Sequence, residues 1–60
     1  MKKGYWFPWC KTEYTMRHCA EIRERLIAEG ERVQIRQRGT HLAGDGTMQP
    51  FGKVYVWTTD

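Results

Sequence analysis

Within the run from Lys53 to Thr59, β-branched and aromatic residues alternate strictly from Val54 to Thr58, and a period of two marks a strand with two unlike faces. Val54, Val56 and Thr58 point one way. Lys53, Tyr55, Trp57 and Thr59 point the other. The first face is smooth and aliphatic, suited to lie under a helix. The second is aromatic and cationic, and is expected to stay open.

The preceding segments take their places around this strand. Gly4 to Trp9 is rich in aromatics and reads as a strand, held to a sheet edge by Pro8. Alternation places Tyr5, Phe7 and Trp9 on one face and Trp6 on the other, so both faces are aromatic and either could be inside. Thr12 reads as a helix N-cap with Glu13 in the first turn. The helix runs to about Glu29, and Gly30 suits the left-handed position after it. At 100° per residue, Met16, Cys19, Ala20, Ile22, Leu26 and Ile27 share one face. Arg23 falls near the middle of that face, where its stem can lie along apolar surface while its head reaches water. Glu13, Arg17, Glu21, Arg25 and Glu29 alternate in sign at four-residue steps, the pattern of a solvated face.

Glu31 to Arg38 is the next strand, with Val33 and Ile35 inward and Arg32, Gln34, Arg36 and Arg38 outward. Residues 39–52 form a long connection whose Gly44-Asp45-Gly46 is a turn signal, toward which the flanking strands can extend as a hairpin. A connection of this length in a small domain is more often functional than idle.

The predicted fold is therefore α+β, a single small domain over residues 1–60 with element order β-α-β-β. The last strand inserts between the other two, giving a three-stranded, mainly antiparallel sheet of order 1-3-2 with the helix packed on one face. Val54 and Val56 are expected to meet Val33, Ile35, Ile22 and Leu26. The open face then collects Tyr55, Trp57, Lys53, Arg32, Arg36 and Arg38.

Sixty residues bury about 60% of the surface they would expose unfolded, so the core is expected to be thin. The formal net charge is +3, and its distribution is uneven. From Glu13 to Glu31, five Glu oppose Arg17, Arg23 and Arg25, a net −2. The remainder carries Lys2, Lys3, Lys11, Arg32, Arg36, Arg38 and Lys53 against Asp45 and Asp60, a net +5. The basic excess lies off the helix, which favours an anionic partner. Met1-Lys2-Lys3 is not followed by an apolar signal-peptide run, and no segment reaches transmembrane length. The expected location is the cytoplasm, with free thiols and no membrane partner.

Catalytic and metal chemistry find little support. Cys10, His18, Cys19 and His41 match no zinc-ligand spacing, so neither a metal nor another cofactor is expected. Cys10 with either histidine lacks a group to orient the base, and no phosphate cradle or paired-carboxylate site is apparent. The chain is therefore not read as an enzyme. The open face is the stronger candidate. Aromatics and Arg anchor protein interfaces, and the same residues stack on bases and neutralise phosphates. Phe51, Lys53, Tyr55 and Trp57 share a side if the last strand starts early. With Arg32, Arg36, Arg38 and Met48, they make up the candidate binding set. The run Phe51-Gly52-Lys53-Val54-Tyr55 resembles part of the RNA-recognition-motif signature, with Lys53 and Val56 at two places where that family carries aromatics.

Lys3-Gly4-Tyr5-Trp6-Phe7-Pro8, followed by a charged amphipathic helix and a short basic strand, resembles the small accessory proteins of lambdoid phages and prophages over about the first 38 residues. That resemblance implies stoichiometric binding to a host or defence macromolecule, as an inhibitor or regulator in the host cytoplasm. It carries over no site residues. The leading expectation is a non-enzymatic binding protein that meets a host or defence protein through the open face and the Met48–Phe51 region. A single-stranded DNA or RNA binder using the same face is the alternative. A homodimer that buries the face, in an eight-aromatic core or a six-stranded layer, is the third.

Overall fold

The computed structural model describes residues 3–59. Five elements follow one another: β1 (Gly4–Pro8), β2 (Tyr14–Thr15), α1 (Met16–Ala28), β3 (Val33–Leu42) and β4 (Met48–Thr59). The fold is α+β, one helix on a four-stranded antiparallel sheet in which every other strand pairs with β4. One edge of β4 takes β1 along Tyr55–Thr59 and β2 at Phe51–Gly52. The other edge takes β3 almost throughout.

Four strands replace the three expected, because Tyr14 and Thr15 pair with β4 instead of opening the helix. The N-cap consequently moves from Thr12 to Thr15. The Thr15 backbone is extended (φ −56°, ψ 150°), and its Oγ1 accepts from the His18 N–H at 3.2 Å. Glu13 lies outside the first turn, contrary to expectation. The other end of the helix is as expected. Gly30 takes φ +91°, its N–H reaches the Ile27 carbonyl, and the Glu31 N–H reaches that of Leu26. These two bonds form a Schellman cap, and they turn the chain directly into β3.

The core is small. Cys19, Leu26 and Val54 are buried, and Tyr14, Ile22, Val33, Ile35 and Val56 pack around them. The Cys19 thiol donates to the carbonyls of Gly52 at 3.4 Å and Tyr14 at 3.6 Å. It thus seals the junction of α1, β2 and β4, and burial pushes its pKa up. Two members of the expected helix face are not enclosed: Ile27 and Arg23 are exposed, since α1 ends against the sheet through Leu26.

The 39–52 connection is mostly strand, which corrects the long loop expected there. β3 runs on to Leu42 and β4 begins at Met48, leaving a turn of residues 43–47. Asp45 fixes this turn by accepting from the Thr47 N–H at 3.0 Å and its hydroxyl at 2.7 Å. Both bonds hold the Asp45 carboxyl below its ordinary pKa. Midway along the hairpin the register shifts between Gln37 and Thr40, so Arg38 and Gly39 together oppose Phe51. Gly39 supplies φ +104° for this bulge. Beyond the bulge the hairpin is a bare ribbon, and the molecule extends to 47 × 21 × 13 Å.

The position of the cap is testable. Thr15→Ala should lower stability in urea unfolding by about 1 kcal/mol. Thr12→Ala should leave it within about 0.5 kcal/mol. The opposite ranking would return the helix start to Thr12.

Candidate binding face

The valines and aromatics of β4 separate as their alternation requires. Val54 is 1% exposed under α1, while Tyr55 and Trp57 lie on the opposite, helix-free face. Register then assigns the rest of that face. Trp6 lies opposite Trp57, Pro8 and Gln34 flank Tyr55, and Arg36 lies opposite Lys53. Phe51, Lys53, Tyr55 and Trp57 thus form one row along β4, with Arg32, Gln34, Arg36 and Arg38 along one side of it.

The rings are held by their neighbours. Trp6 meets Trp57 edge-to-face at 5.3 Å between centroids. The Trp57 indole also lies directly over Gly4, where a Cβ would collide with the ring. The Arg32 guanidinium sits 5.3 Å from the Trp57 ring centroid, and that of Arg36 sits 4.3 Å from Tyr55. Arg36 Nε also donates to Gln34 Oε1 at 3.0 Å. Each guanidinium therefore sits over an aromatic ring within cation–π distance, which leaves N–H groups for an incoming acceptor.

Further along, His41 packs edge-to-face on Phe51 at 5.5 Å. Glu13 Oε1 lies 4.0 Å from His41 Nε2. Among the described residues, no carboxylate lies within ion-pair distance of Arg32, Arg36, Arg38 or Lys53.

Of the eight residues expected to bind, seven line this face or its rim. Met48 does not. It pairs with Leu42 on the helix side of the ribbon, and both are exposed. Trp6, Pro8 and His41 join the face without having been singled out. Alternation alone left both sides of β1 equivalent, and the bulge at Arg38–Gly39 reverses the side on which His41 emerges.

A thiol of unusual acidity lies in the segment between β1 and β2. Hydrogen bonds from the Thr12 side chain, the Thr12 N–H and the Tyr14 hydroxyl stabilise the Cys10 thiolate and lower its pKa to about 7. The same bond to Cys10 raises the pKa of Tyr14, whose ring stacks on His18 at 4.9 Å. Both cysteines are free.

No protein-family model, curated protein or solved structure matches the chain.

Two measurements check this geometry. Gly4→Ala should displace the Trp57 indole, seen as a red-shifted tryptophan emission with the far-ultraviolet circular dichroism retained. An unchanged emission would mean that the ring does not rest on Gly4. Alkylation of Cys10 by iodoacetamide should be slow below its pKa and accelerate as pH rises through about 7. Thr12→Val removes a bond that favours the thiolate, so the midpoint should move to higher pH. A midpoint near the ordinary thiol value in the unmodified protein would contradict the hydrogen-bond arrangement.

Proposed function

We propose that this chain is a non-enzymatic binding protein whose open sheet face docks stoichiometrically on an acidic surface of another protein. The observation that carries the reading is the Arg36–Lys53 pair. Two cations stand directly opposite each other across neighbouring strands, with Arg32 and Arg38 on the same face and no carboxylate in ion-pair contact among the described residues. Like charges placed directly opposite destabilise a sheet. An anionic partner converts that repulsion into attraction.

A protein surface accounts for the face better than a single strand of nucleic acid. Base stacking requires free ring faces. The Tyr55 ring carries Arg36, while Trp57 carries Arg32 and is clasped by Trp6 and Gly4. What remains available is the N–H rim of each guanidinium, whose fork matches a carboxylate in two parallel hydrogen bonds. Arg32 and Arg36 are the expected anchors, held in place by Trp57 and Tyr55, because Arg is among the residues that dominate the energetics of protein interfaces.

In the setting implied by the resemblance to phage accessory proteins, the partner is a host or defence protein and the site of action is the host cytoplasm.

Affinity capture from a bacterial host lysate tests this reading when Trp57→Ala and Arg36→Glu are run as matched controls. A protein bound by the unmodified chain should be lost with both variants, with affinity falling by about a hundredfold. Fluorescence anisotropy with an oligothymidine at low salt separates the alternative. Tight binding there, falling steeply with ionic strength, would assign the face to nucleic acid. Capture indifferent to both substitutions would remove the open face from the function.

A further inference from the structure

The helix side of β1 is a second exposed apolar surface, distinct from the open face. Tyr5 and Phe7 pair with Thr58 and Val56, and Trp9 donates to the Val54 carbonyl, so all three project to the side that carries α1. The helix packs on β4, β3 and β2 and stops short of them. Tyr5 is 44% exposed, Phe7 53% and Trp9 44%. Tyr5 and Phe7 contact each other edge-to-face at 6.1 Å. Beside this row runs the outer edge of β1, which pairs with no strand among the described residues. Alternation in an antiparallel ladder directs the polar groups of residues 5, 7 and 9 toward β4, and those of Gly4, Trp6 and Pro8 outward. Pro8 is thus placed so that its missing N–H falls on the free edge.

We propose that β1 pairs with β1 of a second copy of this chain about a two-fold axis at Trp6, joining two sheets into one. Self-complementarity supports a second copy as the occupant. Antiparallel pairing centred on Trp6 matches the Trp6 N–H and carbonyl with those of the other Trp6, and each Gly4 N–H with the Pro8 carbonyl of the other chain. Every outward donor finds an acceptor, and proline's lack of a donor falls opposite a carbonyl that stays in water. The same register sets Tyr5 beside Phe7 of the other copy and Lys3 beside its Trp9, so the two aromatic rows cover each other. No charged side chain lies between Gly4 and Cys10 to oppose the pairing.

The exposed area also fits. The chain exposes 4685 Å² at a mass of 7.2 kDa, whereas a monomer of that mass exposes about 4,100 Å². That excess is shared between the bare hairpin and the exposed Tyr5, Phe7 and Trp9 row. A core of three buried side chains gains support from such a joint. The open faces of the two copies remain free and adjoin through Trp6, so the dimer would display two docking surfaces side by side.

Sedimentation equilibrium at about 10–100 µM, where a specific dimer of micromolar affinity is populated, should return twice the 7.2 kDa chain mass. Phe7→Lys, at a site already exposed, should weaken association by about a hundredfold with circular dichroism retained. Arg36→Ala, on the strand across β4 from this edge, should leave the mass unchanged, which separates this edge from a dimer built on the open face. Should Phe7→Lys fail to fold, amide exchange of the unmodified protein decides. The Trp6 and Gly4 N–H groups should be protected at high concentration and exchange rapidly on dilution. A single-chain mass across the range, a dimer dissociated by Arg36→Ala, or Trp6 exchange independent of concentration would each overturn the pairing.

Discussion

A mismatch of lengths governs this molecule. β4 has twelve residues and α1 thirteen, but a strand rises about 3.3 Å per residue and a helix about 1.5 Å. The helix therefore roofs only about 20 Å of a strand about 40 Å long. Beyond the roof the chain is exposed or half-buried, so among the described residues the buried hydrophobic side chains are Cys19, Leu26 and Val54. The bare ribbon past the bulge follows from that shortfall, while the open face and the aromatic row of β1 lie where a single helix does not reach. A chain of sixty residues with so little enclosed surface has modest stability of its own, which makes association with another surface energetically useful.

The open face is ordered although it is wet. Arg32 and Arg36 sit over Trp57 and Tyr55, and Trp57 is fixed in turn by Gly4 and Trp6. Side chains already confined to one arrangement lose little entropy on docking. The Arg36–Lys53 juxtaposition is the unfavourable element of this surface. It is tolerated because the sheet leaves both cations access to water, and because the Tyr55 ring offers Arg36 a compensating contact.

Much of this was legible in the residues. Strict alternation in β4 separated Val54 and Val56 from Tyr55 and Trp57, and Gly30 marked the helix end. Turn chemistry at Gly44-Asp45-Gly46 pointed to the hairpin. Three features escaped. Thr12 and Thr15 are both competent caps, and only pairing of Tyr14 and Thr15 with β4 decides between them. The bulge at Arg38–Gly39 reverses the faces of the residues beyond it, so the side on which His41 and Leu42 emerge cannot be read from a period of two. β1 is aromatic on both faces, and its orientation is set by register with a strand more than forty residues away. Local pattern carried the local decisions, and long-range pairing made the rest.

Because β1, β2 and β3 all pair with β4 and none with one another, the sheet has no stable subset that lacks the final element. As the chain leaves the ribosome, α1 can nucleate with nothing to lie against, and three strands wait with unmet hydrogen bonds. Closure of the ladder falls after synthesis has passed Thr59. Until then the aromatic segment Tyr5–Trp9 has no strand to pair with, so the sheet forms in one step or not at all.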